Sequence, residues 1–119
     1  MREHKFRAWY ENKMHRVTSF HVGTGMVTIP LMRFPFTQDV IPDAIVEYTG
    51  LKDKNGKEIY ESDIVMFGQT PCSVRWSDDL LRWMLDAVKD KVIYEEKFIL
   101  NGRTEVEVIG NIYENPKLL

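Results

Sequence analysis

Cysteine is nearly missing from this chain: Cys72 is the only one. An internal disulfide is therefore excluded, and so is a zinc site built from paired cysteines. A lone thiol fits a reducing compartment. Long hydrophobic runs are missing too, and none approaches the about 20 apolar residues of a spanning helix. The opening residues, MREHKFRAWY, lack the apolar stretch of a secretory signal. Together these features predict a cytoplasmic protein with no membrane contact. An excess of basic charge is absent as well. The net formal charge is −2, so no global field gathers nucleic acid. There are no internal repeats and no low-complexity tracts. One domain is expected of 119 residues, and a chain of this size buries roughly two-thirds of its unfolded surface without metal or disulfide.

What charge there is lies unevenly. Within residues 1–16, Arg2, Lys5, Arg7, Lys13 and Arg16 face only Glu3 and Glu11. The acidic excess falls on the rest of the chain. A solvated hairpin face explains this basic start; a nucleic-acid contact built from Arg2, Lys5, Arg7, Trp9 and Arg16 is the alternative.

Residues 4–10 and 14–21 read as two strands, rich in aromatic and β-branched residues. A two-residue turn at Asn12-Lys13 would set Tyr10 opposite His15 and His4 opposite His21. Residues 22–43 differ. Pro30, Pro35 and Pro42 argue against a central strand or an unbroken helix. Yet Met26, Val27, Ile29, Leu31, Met32, Phe34 and Phe36 are too apolar for a solvated linker. An irregular arm that must be covered is expected, either by its own domain or by another subunit. Met26, Ile29, Leu31, Met32, Phe34 and Phe36 are the candidate interface.

In YTGLKDKNGKEIYESDIVMF, residues 48–67, Asn55-Gly56 signals a hairpin. A type I′ turn on those two residues would pair Lys54 with Lys57 and Asp53 with Glu58, both like-charged. A type I turn over Asp53-Lys54-Asn55-Gly56, with Gly56 left-handed in a bulge, sets Lys52 against Glu58 and Asp53 against Lys57 instead. Each cross-strand pair contributes roughly 0.2–1 kcal/mol, so the sign reversals select the second register. These charges read as structural.

Beyond it, Ile64, Val65, Met66 and Phe67 are apolar on both strand faces, which predicts a strand covered on both sides. Pro71 is expected to break that strand. Cys72, Val74 and Trp76 alternate with polar residues, and Ser77-Asp78-Asp79 reads as a turn. Leu81, Trp83, Leu85 and Ala87 then alternate with Arg82, Met84 and Asp86. Residues 92–100 suit a strand or a short helix stopped by Asn101-Gly102. Thr104, Val106 and Val108 begin a last strand, bent at Gly110-Asn111 and ended by Asn115-Pro116. Several short strands with turn signals between them describe a small antiparallel barrel, SH3-like after residue 44. The expected fold is mostly β: an N-terminal hairpin plus irregular arm over 1–43, then a barrel over 44–119, in one domain.

Three blocks in order, KFRAWYENKM at 5–14, YTGLKDKNGKEIYESDIV at 48–65 and EVIGNIYENPKLL at 107–119, resemble the YopX family of phage and prophage proteins. The resemblance implies a mostly β fold and a setting in temperate phage genomes. It carries over no catalytic or binding residue. The family's IYEGDIV block has Ser62 where the glycine stands, which suggests that the position does not strictly need a positive φ.

Candidate chemistry is sparse. His4, His15 and His21 have no neighbouring cysteine and no His-x-His or His-x3-His spacing, so surface histidines are expected rather than a metal site. The pairs Asp78-Asp79 and Glu95-Glu96 point to opposite faces if extended, and in a turn the aspartates accept backbone hydrogen bonds. Cys72 falls in phase with the core and reads as inert. Gly23-Thr24-Gly25 lacks the helix and Lys-Ser/Thr of a phosphate loop. Trp9, Tyr10, Trp76, Trp83 and Tyr94 could stack bases, although Trp76 and Trp83 read as core. The expectation is a non-enzymatic protein with no cofactor and no metal. It forms homo-oligomers or binds a phage or host protein, with nucleic acid as the alternative partner.

Overall fold

The computed structural model describes residues 4–33, 35–89, 92–101 and 105–118, with backbone alone for 88–89 and 92–99. Among these the chain is nearly all β, with antiparallel strands and a single short 3-10 turn at Pro116–Leu118. The curled antiparallel sheets are consistent with a small β-barrel. The chain divides into two compact units, Glu3–Glu47 and Tyr48–Leu119.

In the first unit, β1 (Phe6–Tyr10) and β2 (Lys13–Arg16) form a hairpin with Tyr10 opposite Lys13, Trp9 opposite Met14 and Ala8 opposite His15. The turn residues are Glu11 and Asn12, at φ 51° and 59°. The turn expected at Asn12-Lys13 therefore lies one residue earlier. A two-residue turn needs left-handed backbone at its centre, which asparagine tolerates and which leaves Lys13 extended. The expected pairings of Tyr10 with His15 and His4 with His21 do not form.

The second expected strand is two: β2 ends at Arg16 and β3 (Ser19–His21) follows. With β4 (Met26–Pro30) and β5 (Thr37–Val40) it builds a three-stranded sheet, order β3-β4-β5. The irregular arm is thus a regular meander, and Pro30 explains how. Leu31 donates its N–H to Phe36 O at 2.9 Å, so Pro30, opposite Thr37, takes a non-hydrogen-bonded place toward β5. On its other side β3 begins only opposite Thr28. The missing N–H of proline has no ladder partner to lose. Ala8, Val27, Ile29 and Val40 form this unit's core, with Tyr10 and Val17 packed against it. Strand β6 (Ala44–Lys52) contributes 44–47 here, paired with β1 from Trp9↔Ala44 to Phe6↔Glu47.

The second unit begins with the rest of β6 and β7 (Glu58–Tyr60), joined by the expected type I turn. Gly56 donates to Asp53 O at 3.0 Å, Gly56 has φ 83°, and Lys52 faces Glu58. A bulge between Tyr48 and Lys52 adds a second left-handed glycine, Gly50. Then β8 (Asp63–Phe67), β9 (Thr70–Ser77), β10 (Arg82–Lys89), β11 (Val92–Ile99) and β12 (Glu107–Asn111) form a sheet of order β11-β10-β9-β8-β12. Pro71 does not end a strand. It lies near the start of β9, opposite Met66, after a two-residue turn at Gly68-Gln69. Residues 92–99 are a strand, settling the ambiguity there. Thr104 and Gly102 lie outside the described residues.

The core holds Ile59, Val65, Cys72, Val74, Trp83, Leu85, Ala87, Leu100 and Val106. Cys72 is fully buried, as its phase with Val74 predicts. Leu81, expected in phase with Trp83, is instead an exposed turn residue at φ 53°. In β8, Ile64 and Val65 are both fully buried. This strand is covered on both faces within the single chain, so it does not call for a second subunit.

Candidate functional site

Two candidate surfaces lie in the first unit, and a cleft beside Asp86 lies in the second. The β4–β5 connection is a closed tip. Leu31 N–H donates to Phe36 O and Phe36 N–H to Arg33 O, each at 2.9 Å. Around it Leu31, Met32 and Phe36 remain 44%, 102% and 62% exposed. Of the other expected interface residues, Ile29 is core at 2% exposure and Met26 is half-buried. Both lie on β4, Ile29 on the core face with Val27 and Met26 on the other face. Phe34 lies outside the described residues. The candidate interface thus contracts to Leu31, Met32 and Phe36 at the tip.

The second surface is one face of the β1–β2 hairpin. Arg7 and Arg16 are direct cross-strand partners, and such partners share a face. Trp9, two residues on, shares it with Met14. His4 Nδ1 lies 3.8 Å from Glu47 Oε1, on the face of Phe6, Glu47's partner; alternation puts Lys5 on the arginine face. The opposite face carries Ala8, which is fully buried. Lys5 and Arg16 are exposed, and Arg7 and Trp9 are half-buried. Arg2 lies outside the described residues.

Of the aromatic residues that could stack bases, Trp76 and Trp83 take the core places their strand phase predicts. Trp76 and Trp83 are cross-strand partners with ring centroids 5.2 Å apart at 70°, packed in the second unit's core. Tyr10 packs on the first unit's core. Tyr94's side chain, like those of Glu95 and Glu96, lies outside the described residues.

The histidines are not brought together. His15 Nε2 lies 3.1 Å from Tyr10 O. His21 Nε2 meets Thr28 Oγ1 at 2.9 Å and Asp39 Oδ1 at 3.2 Å. Thr28 Oγ1 donates to the same Asp39 oxygen at 2.6 Å, and Ser19 Oγ donates to Thr28 Oγ1 at 3.0 Å. The Thr28 hydroxyl, against the opposing effect of desolvation and with help from His21, holds the Asp39 carboxyl below its ordinary value. Ser, Thr, His and Asp are all present, yet one ring nitrogen serves both the hydroxyl and the carboxylate. A nucleophile–base–orienter relay needs the two on different nitrogens. The cluster laces β3, β4 and β5 together. Among the described residues no group of three His, Cys, Asp or Glu could hold a metal ion.

The cleft, about 200 Å³, is lined by Glu61, Ser62, Ser73, Arg75, Asp86 and Ile112, with Val74. Asp86 is fully buried, and Arg75 holds it with Nε at 2.5 Å and Nη2 at 3.2 Å. Sequence alternation misses this pair, because Asp86 sits in phase with Arg82 and reads as solvated. The only hint is the apolar Met84 between them, itself buried. In the 77–81 turn the side-chain acceptor for Leu80 N–H is Ser77 Oγ, at 3.1 Å, rather than an aspartate.

The matched family model, YopX protein, covers residues 5–119. The chain belongs to the YopX family. No curated protein matches. Among solved structures, the chain is similar to protein EF1440 from Enterococcus faecalis, at 29% identity and a TM-score of 0.65. The match covers 100% of this chain and 99% of that one. That name states no activity, so the match bears on fold and family alone.

The YopX blocks of this chain fall on turns. In the first, Glu11-Asn12 turns the β1–β2 hairpin. In the second, Asp53 closes the β6–β7 turn, and Asp63 Oδ2 accepts Tyr60 N–H at 2.8 Å. In the third, Asn111 Oδ1 accepts the N–H groups of Tyr113 and Glu114 at 3.0 and 2.9 Å, and Asn115 Oδ1 accepts Asn111 N–H at 3.2 Å. A Cβ on Gly110 would stand 2.4 Å from that Asn115 oxygen, so any larger residue there would have to displace the Asn115 side chain. Ser62 corrects one expectation. Its φ is 69°, so the position does need left-handed backbone, and serine adopts it at a cost.

Proposed function

We propose that this YopX-family chain is a non-enzymatic module that associates with copies of itself through the β4–β5 tip. The observation behind this reading is the tip itself. It is closed by two backbone hydrogen bonds and presents Leu31, Met32 and Phe36 outward. Apolar side chains fixed on an ordered turn gain by burial at about 25 cal/mol per Å² of apolar surface. A second copy brings the same tip, so the contact can close with two-fold symmetry. The resemblance to phage and prophage proteins supports a phage-derived, cytoplasmic setting. A non-enzymatic role fits the use of His21, Thr28 and Asp39 as a lattice across three strands.

Light scattering on a sizing column, from about one to one hundred micromolar, tests it. The wild type is expected at a stable multiple of 14.0 kDa. Met32→Glu with Phe36→Ser should yield monomer with an unchanged far-UV spectrum, since both side chains are exposed. A wild-type monomer over the whole range would remove the proposal.

A further inference from the structure

We infer that β5 is an open sheet edge that pairs antiparallel with β5 of a second copy across a two-fold axis at Gln38, joining two three-stranded sheets edge to edge. This rests on the self-association proposed above and names the contact that orders it. The hydrogen-bond phase of β4 and β5 carries the inference. Leu31 and Phe36 form a hydrogen-bonded pair, with Leu31 N–H on Phe36 O at 2.9 Å. Along the ladder, Pro30 with Thr37 and Thr28 with Asp39 are then the non-hydrogen-bonded pairs. Thr37 and Asp39 therefore turn their backbone N–H and C=O groups away from β4. Among the described residues β5 is the last strand of its sheet, and Thr37, Gln38 and Asp39 are exposed. Such an edge is a template for another strand. Between Pro35 and Pro42 it has no lysine, proline or bulge to prevent that.

Charge and free donors choose the register. With Asp39 opposite its own copy, two carboxylates would meet directly, which is destabilising. A two-fold at Val40 would call on Asp43 N–H, already given to Trp9 O at 2.9 Å. A two-fold at Gln38 avoids both. Thr37 and the partner's Asp39 then exchange N–H···O bonds, and the symmetry mate repeats them. Their side chains share a face, so the Thr37 hydroxyl can donate to the partner's Asp39 carboxylate. The contacts of Asp39 with Thr28 and His21 both fall on Oδ1, and a carboxylate accepts about four hydrogen bonds. On the other face Phe36, which is 62% exposed, comes opposite the partner's Val40. Ile41, which is 66% exposed, comes opposite the partner's Pro35, where the missing N–H ends the ladder. Each tip thus covers the apolar end of the other copy's β5.

Oxidative cross-linking reads the pairing directly. The two-fold makes the two copies of Gln38 a non-hydrogen-bonded pair, with Cα atoms about 4.5 Å apart, a separation that a disulfide spans. On air oxidation Gln38→Cys is expected to form a disulfide-linked dimer at least about tenfold faster than Val22→Cys. Val22, on the β3–β4 turn, is almost fully exposed and reports random collision. Cys72 is buried and stays out of the reaction. Thr37→Pro deletes an outward N–H that the single chain does not use. It should therefore keep the far-UV spectrum while light scattering shifts to monomer. The wild type can form an oligomer that Met32→Glu with Phe36→Ser dissolves, yet Gln38→Cys can link no faster than Val22→Cys, or Thr37→Pro can leave the mass unchanged. In that case the tip associates without the edge, and this inference alone is overturned. A wild-type monomer at every concentration overturns both readings.

Discussion

Asp53 Oδ2 accepts the backbone N–H of Val108 at 3.0 Å, a hydrogen bond spanning fifty-five residues. Its other oxygen takes Asn55 N–H at 2.9 Å and Lys57 N–H at 2.8 Å. One carboxylate thus closes the β6–β7 turn and fastens it to β12. Lys54 N–H adds a bond to Val106 O at 3.0 Å. Asp53→Ala leaves three donors without their acceptor at a site only 7% exposed. The expected cost is about 2–4 kcal/mol, read from urea unfolding; Asn, which keeps one acceptor oxygen, should cost about half as much. A loss below about 0.5 kcal/mol for Ala would show the clamp to be dispensable.

The same carboxylate shapes the acid limb of stability. Burial pushes its pKa up, but the Val108, Lys57 and Asn55 N–H groups and the Lys57 charge outweigh burial. The folded value lies below the ordinary 3.8. The unfolded chain therefore takes up the proton first. The stabilisation is complete above about pH 4 and is lost as pH falls through the folded pKa. Between about pH 5 and pH 2.5, the urea midpoint of Asp53→Asn should fall less steeply than that of wild type. Parallel curves would assign acid sensitivity to other groups.

Ser62 pays for a left-handed backbone without having to. At φ 69° a residue with a Cβ sits about 1–2 kcal/mol above its right-handed form, while glycine is at home. Part of that gain is offset by glycine's greater freedom in the unfolded chain. Ser62→Gly should raise stability by about 0.5–1 kcal/mol, and Ser62→Val should lower it by at least as much. The backbone contacts of the position, Ser62 N–H to Val74 O and Ile112 N–H to Ser62 O, do not depend on the side chain. A destabilised glycine variant would mean that the serine hydroxyl matters more than the backbone.

What could be read in advance followed local chemistry. The Asp53–Gly56 turn was legible because charge pairing and the glycine requirement act over a few residues. The core phase of Cys72, Val74, Trp83, Leu85 and Ala87 was legible because a half-buried strand alternates. Two readings failed for reasons of context. Prolines over 22–43 argued against strands, yet a proline is harmless where the ladder asks for no donor, and that depends on where β3 begins. Asp86 read as solvated because alternation assumes one wet face, and β10 has none at that point. The reach of Asp53 to Val108 was illegible for another reason: no local pattern announces a partner so far along the chain. Of the two candidate surfaces, the basic hairpin was visible as composition, but the shared face of Arg7 and Arg16 needed the true register.

Arg75 and Asp86 give the last prediction, because their burial is unequal. The Asp86 side chain is 1% exposed and that of Arg75 is 36% exposed. Removing the aspartate leaves a guanidinium that can turn toward water. Removing the arginine strands a carboxylate where water does not reach, and breaking a buried pair in this way costs about 3–5 kcal/mol. Arg75→Met should therefore destabilise more than Asp86→Leu, by about 1–2 kcal/mol. The double variant should recover most of the loss, since apolar side chains of similar volume replace a desolvated pair at little or no net cost. A double-mutant cycle in urea reads all three values. If Asp86→Leu proves the more damaging change, the pair is held for the aspartate's own role in the cleft with Glu61 and Ser73, and not for charge balance.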